Sequence, residues 1–221
     1  MQCTNAFVHS CIRAFVHSCI SMRKLLLATT NRDKVREILA ILAGLPFEFR
    51  TLADFPELTA PEETGRTFAD NARAKAIYYA TATGELAVAE DSGLEIDALH
   101  GRPGVESARY AGVDSSYPEK FARLYDELRA VEGEGSPARF VCALALARAG
   151  RIQFEAAGTI EGRIAERPSG GGGFGYDPIF YYPPFGTTLA EVGERKSTVS
   201  HRGEAFRLLR TFLDQGLKPN S

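Results

Sequence analysis

Apolar residues follow two rhythms along this chain. Short unbroken runs, at 25–28, 86–89 and 140–147, have the length of buried strands rather than of helices. Val35, Ile38, Leu39 and Leu42 instead recur at i, i+3, i+4 and i+7, one face of an amphipathic helix closed by Gly44 and Pro46. The chain thus opens as a strand over 22–29, a polar ThrThrAsn turn and a helix. A second short strand follows at 47–50, then a helix over about 67–83 stopped by Gly84. The run at 86–89 reads as a strand that ends by delivering GluAspSerGly, 90–93, where open sheets place ligand-binding residues. Ser116-Tyr-Pro-Glu119 is a capping box with proline in the first turn, and predicts a helix to about Val131. Runs at 139–148 and 151–160 flank AlaGly as a long hairpin. A strand at 179–182, a short helix near 188–192 and a closing helix over about 202–215 complete the chain. This mixture predicts an α/β fold, a mixed twisted sheet with flanking helices, arranged as two lobes around a central cleft.

Composition narrows the partners. With 221 residues, 44% of them hydrophobic, the chain can bury a sizeable core. A formal net charge of −2 carries no electrostatic footprint for nucleic acid or an anionic membrane surface. No apolar run approaches the roughly 20 residues of a membrane span. Neither nucleic acid nor membrane is expected as a partner. Three of the four cysteines, Cys3, Cys11 and Cys19, lie in the first twenty residues, which is no disulfide framework and suits a reducing cytoplasm. They sit in a tandem repeat, AFVHSCIR at 6–13 and AFVHSCIS at 14–21. Its spacing suits neither a metal site nor a secretory signal, so residues 1–21 read as a duplicated leader before a single domain, 22–221.

Candidate chemistry falls in four places. At Thr29–Lys34 the amides of a helix start, two hydroxyls and a lysine can receive an anion. Glu62 and Glu63 with Glu90 and Asp91 offer hard oxygen ligands for Mg²⁺ and a base for water. GlyGlyGlyGlyPheGlyTyrAsp, 170–177, looks at first like a phosphate cradle, but its aromatics suit a heterocycle. Lys196, His201 and Arg202 near a helix start capped by Ser200 supply donors. With no GxSxG, Cys–His pair or GxGxxG after a strand, a metal-assisted hydrolase fits better than an acyl-enzyme or a dinucleotide enzyme.

ThrThrAsnArgAspLysValArgGlu at 29–37, GluGluThrGlyArgThrPheAlaAspAsnAlaArgAlaLysAla at 62–76, the stretch GluAspSerGlyLeu to ArgTyrAlaGly at 90–112, GlyGlyPheGlyTyrAspProIlePhe at 172–180 and LysSer…SerHisArgGly at 196–203 closely resemble the inosine triphosphate pyrophosphatase family. The resemblance runs in order from about Arg23 to the end. It implies Mg²⁺-dependent cleavage of ITP, dITP and XTP to the monophosphate and pyrophosphate, which cleanses the nucleotide pool, and a homodimer. It places Thr29, Thr30, Asn31, Arg32, Asp33 and Lys34 in the phosphate-binding turn, with Lys75 near the phosphates and Ser92 on the substrate. Glu63 matches a metal-linked carboxylate and Asp91 the metal-binding proton acceptor. Phe174, Gly175, Tyr176, Asp177, Lys196, His201 and Arg202 match the nucleoside end.

Two positions depart from the family pattern. Thr30 stands where the family often has glycine, so it needs an ordinary backbone conformation or a shifted turn. Glu90 replaces a frequent aspartate. The glycine run reads as a flexible hinge that brings Phe174 against base and sugar, with Asp177 fixing the ring edge. The rival readings are a pyrophosphatase for modified pyrimidines and a nucleotide- or RNA-binding module without hydrolysis.

Overall fold

Leu25, Leu26 and Leu27 are fully buried, and because side chains alternate across a strand they serve two different cores. In the computed structural model, which describes residues 23–216, they belong to β1 (Arg23–Leu27). The octad repeat lies outside the described residues. β1 pairs in parallel with β2 (Phe47–Thr51) on one side and β3 (Leu86–Ile96) on the other. Antiparallel partners follow: β4 (Pro137–Arg148), β5 (Arg151–Ile164), β6 (Phe180–Tyr182) and β7 (Thr187–Thr188). The sheet order is β2-β1-β3-β4-β5-β6-β7.

Leu25 and Leu27 pack with Ile38 and Leu42 of α1 (Arg32–Leu42) and with Phe206 and Leu209 of α5 (His201–Asp214). Leu26 faces the opposite side, where Ala72, Ala76 and Ala80 let α2 (Phe68–Thr83) lie close against Ala87 and Ala145. At the other end of the long strands, Leu94, Ile96, Phe140 and Ile160 join Leu124 and Leu128 of α3 (Tyr117–Ala130). Two lobes therefore share β3, β4 and β5. The expected capping box is present at α3: Ser116 N donates to Glu119 Oε2 (2.7 Å) and Glu119 N to Ser116 Oγ (3.5 Å).

Two elements differ from expectation. β3 does not end at Ala89 but continues to Ile96, so Glu90 and Asp91 lie mid-strand. Their backbones stay paired because Glu90 faces Leu144 and Asp91 faces Ala143 across the β4 ladder. On the opposite edge β1 accompanies β3 only to Val88. No helix forms at 188–192. There the Glu191 carboxylate accepts from Thr187, Thr188 and Ser169, and folds the segment into a turn after β7. The short helix comes later, as α4 (Lys196–Val199).

Candidate active site

Between the lobes lies a cleft of about 310 Å³. The β1–α1 turn forms one end. Asn31 caps α1 by accepting from Asp33 N (2.9 Å) and Lys34 N (3.2 Å), so two amides expected to meet an anion are already used by Asn31 itself. Thr30 avoids the left-handed region, which resolves the departure from glycine. Thr29, Thr30, Asn31 and Lys34 line the cleft; Arg32 and Asp33 do not. Arg32 is exposed, and Asp33 pairs with Arg36.

Glu90, buried mid-strand, holds Lys34 Nζ at 2.6 Å and Arg202 Nη2 at 3.5 Å. Burial opposes ionisation, but Arg202 and Lys34 outweigh it and hold the Glu90 carboxyl well below the usual carboxylate range. Asp91 points into the cleft beside Lys75, whose Nζ stands 3.7 Å from Asp91 Oδ1 and 2.6 Å from Glu63 Oε1. Burial raises the Asp91 carboxyl against the pull of Lys75 and Asn71. Burial would lower the Lys75 ammonium, but Asp91 and Glu63 together raise it. Glu63 and Asp91 therefore face one shared cation. That is a hard-oxygen donor pair of the kind Mg²⁺ takes, since Mg²⁺ needs only one or two carboxylates and fills its shell with water and phosphate oxygens. Among the described residues no cluster of three or more acidic, His or Cys ligands exists.

At the far end Phe174, half-buried, carries Lys196 Nζ at 4.3 Å and Arg202 Cζ at 5.5 Å from its ring centroid. The glycine loop is no loose hinge. Gly172 N donates to Ala190 O (3.0 Å), Ser169 N to Pro178 O (2.9 Å) and Phe174 N to Asp177 Oδ2 (2.7 Å). Gly173 sits at φ 68°, and a Cβ there would stand 2.1 Å from Asp177 Oδ2, so glycine is needed for backbone conformation and space. Asp177 lines the cleft, and its buried Oδ2 accepts from both Phe174 N and Lys196 Nζ, which ties the loop and the lysine to one carboxylate. Tyr176, which also lines the cleft, donates to Ser107 O (2.8 Å) with its ring edge-on to Tyr117.

His201 stacks on Phe140 at 5.0 Å, and burial, with Arg202 adding, holds its imidazole well below the usual value, hence neutral. Its Nδ1 and Arg202 Nε are buried without a hydrogen-bond partner. Arg202 also donates to Glu37 Oε2 (3.0 Å) and Ser92 Oγ (3.0 Å). Glu90, offered by the sequence as a metal ligand, is instead paired with Lys34 and Arg202. Sequence reasoning missed Glu37, Asn71 and Tyr117 as site neighbours. Asn71 and Glu37 lie inside the family-like motifs, which was the one signal for them. Tyr117 lines the cleft only because α3 begins there.

The same motifs decide the relationship, for the model of the Ham1 family matches residues 25–212. The chain belongs to the Ham1 family. A Geobacter sulfurreducens protein named dITP/XTP pyrophosphatase is 47% identical over 199 residues, 89% of this chain and 100% of that protein. One of the same name from Thermus thermophilus is 48% identical over 197 residues, 89% of this chain and 94% of the other. Among solved structures, a HAM1 protein from Coxiella burnetii superposes with a TM-score of 0.83 at 39% identity, covering 88% of this chain and 100% of that one. A Mycobacterium abscessus structure described as a nucleoside-triphosphatase / dITP/XTP pyrophosphatase gives 0.69 at 40% identity, covering 86% and 98%. These structures share the mixed sheet and flanking helices that the pattern of elements predicts.

Proposed function

We propose that this chain hydrolyses ITP, dITP and XTP to the monophosphate and pyrophosphate. The observation that carries the reading is the charge pattern of the cleft. Lys34, Lys75, Lys196 and Arg202 line it together with Glu63, Glu90, Asp91 and Asp177, and Phe174 stands at one end. Each of those carboxylates is paired with one of those cations. A polyanion can take over cations held this way, while the aromatic end takes a base.

The triphosphate lies along Thr29, Thr30, Asn31 and Lys34 with Lys75 beside it, and Arg32 and Asp33 complete the turn from outside the cleft. Glu63 and Asp91 would hold Mg²⁺, which supplies charge neutralisation and a more acidic water. Asp91 orients the attacking water toward the α-phosphorus and takes its proton, and pyrophosphate leaves. Lys34 and Lys75 offset charge where it develops, so positioning and electrostatics supply most of the rate.

Base choice follows from donor polarity. Lys196 and Arg202 lie over Phe174 and His201 lines the same cleft, and their donors suit the 6-oxo group of hypoxanthine and xanthine, whereas adenine offers an amino donor there. Ser92 and Gly175 complete the wall. A buried unmatched donor costs roughly 1–3 kcal/mol, about ten- to a hundredfold in rate. The working unit is the domain 22–221 as a homodimer, supported by the family-like motifs; the family match at 25–212 begins after the octads. No helix among the described residues is long and apolar enough to cross a membrane.

Pyrophosphate release from ITP, XTP, ATP and GTP, with Mg²⁺ and with chelator, tests the reading. Release from ITP and XTP should exceed that from ATP at least tenfold, and chelation should abolish it. Equal rates on all four would refute the specificity, and full activity in chelator the metal.

A further inference from the structure

Asn71, in the first turns of α2, is 1% exposed and does not line the cleft, yet both ends of its side-chain amide are engaged. Its Nδ2 donates to Asp91 Oδ2 (2.8 Å), and its Oδ1 accepts from Gly65 N (2.8 Å). The orientation of the amide follows from its partners. Flipping it would set oxygen against a carboxylate and NH₂ against a backbone N–H, losing both bonds. Gly65 belongs to the irregular segment that carries Glu63 two residues earlier. A Cβ at Gly65 would stand 2.5 Å from Asn71 Oδ1, so the close approach depends on glycine.

We infer that Asn71 is a positioning residue that ties the Glu63 segment to Asp91 and sets the rotation of the Asp91 carboxylate. With Oδ2 held by Asn71 and Oδ1 accepting from Ser92 N (3.0 Å), the carboxylate plane is fixed and Oδ1 faces Lys75. Lys75 and Tyr79, which line the cleft, follow Asn71 at i+4 and i+8, so one face of α2 carries all three. Glu63 then reaches Lys75 from a segment with no helix or strand of its own. Without the amide, that segment loses its tie to the buried strand bearing Asp91. Groups that orient a reacting carboxylate from behind typically change activity by about 10- to 100-fold.

The inference rests on the hydrolytic reading above, and its test separates the two. Turnover of ITP is measured for the wild type, Asn71→Leu and Asn71→Asp, with amide hydrogen exchange at Gly65. Asn71→Leu removes both bonds; Asn71→Asp keeps the shape and the acceptor for Gly65 but turns an acceptor toward Asp91. Both should lower kcat about 30- to 100-fold with KM changed less than about threefold. Only Asn71→Leu should speed Gly65 exchange, by about tenfold or more. A purely packing role predicts that the isosteric Asn71→Asp keeps its turnover. Wild-type-like kcat in that variant, or a loss confined to KM, overturns the inference. Should a thermal melt show Asn71→Asp unfolded, Asn71→Ser takes its place with the same expected loss of kcat, and the same two results overturn the inference. A wild type inactive on ITP and XTP would defeat the hydrolytic reading, while unchanged Gly65 exchange in Asn71→Leu would defeat the tie to Gly65 on its own.

Discussion

Asp91 and Phe174 divide the proposed work between the two ends of the cleft, and single substitutions should separate them. Asp91→Asn keeps the shape but removes the base, and its side-chain amide keeps only one of the two acceptor oxygens that Asn71 and Ser92 N use, so kcat should fall by about 10²-fold or more while nucleotide affinity changes little. Phe174→Ala removes the ring that lies under Lys196 and Arg202. Its KM for ITP should rise about tenfold, from a lost contact of about 1–2 kcal/mol, with inhibition by inorganic pyrophosphate unchanged. Steady-state kinetics with pyrophosphate as competitor reads both. The residues given roles in the site were legible because the family resemblance assigns each of them one. Glu37 and Asn71 were not, because their importance comes from partners far away in sequence: Arg202 Nη1 for Glu37 and Asp91 for Asn71.

At the scale of elements, the site depends on how closely α5 approaches the sheet. A Cβ at Gly158 of β5 would stand 2.2 Å from His201 O and 2.9 Å from Ala205 N. Gly158→Ala should therefore displace the start of α5, which carries both His201 and Arg202. The expected loss of stability is about 1–3 kcal/mol, as for overpacking generally, and a urea midpoint measures it together with a raised KM for ITP. Helix ends and the β4–β5 hairpin were readable from caps and from the AlaGly turn. The continuation of β3 through GluAspSerGly was not. The β4 ladder keeps that polar stretch extended, and Lys34, Arg202 and Lys75 together with the Asn71 amide make its buried charges tolerable.

For the whole molecule, buried titratable groups make stability depend on pH. Burial lowers His201 well below its ordinary value of 6.5, so the unfolded chain binds a proton that the folded chain refuses. Stability from this group is complete above 6.5 and is lost as pH falls below it. Glu90, held well below 4.5, acts in the same direction at lower pH. Asp91 and Asp177, raised by burial, act in the opposite direction in the acid range. Melting temperature should therefore fall from about pH 7 to pH 5, and His201→Asn should flatten that slope. An unchanged slope would show that His201 is not held neutral by the fold.

The sequence by itself determined the α/β class, most helices and strands, the family and the residue types of the site, since these rest on periodicity, capping and motifs within a few residues. Tertiary structure alone decided that the glycine loop is pinned, that Asp177 serves Lys196 and Phe174 N, and that Arg32 and Asp33 stay outside the cleft. It also decided which carboxylate faces which cation. Those outcomes turn on electrostatic pairing and steric fit between segments brought together by the sheet, and local sequence does not encode such distances.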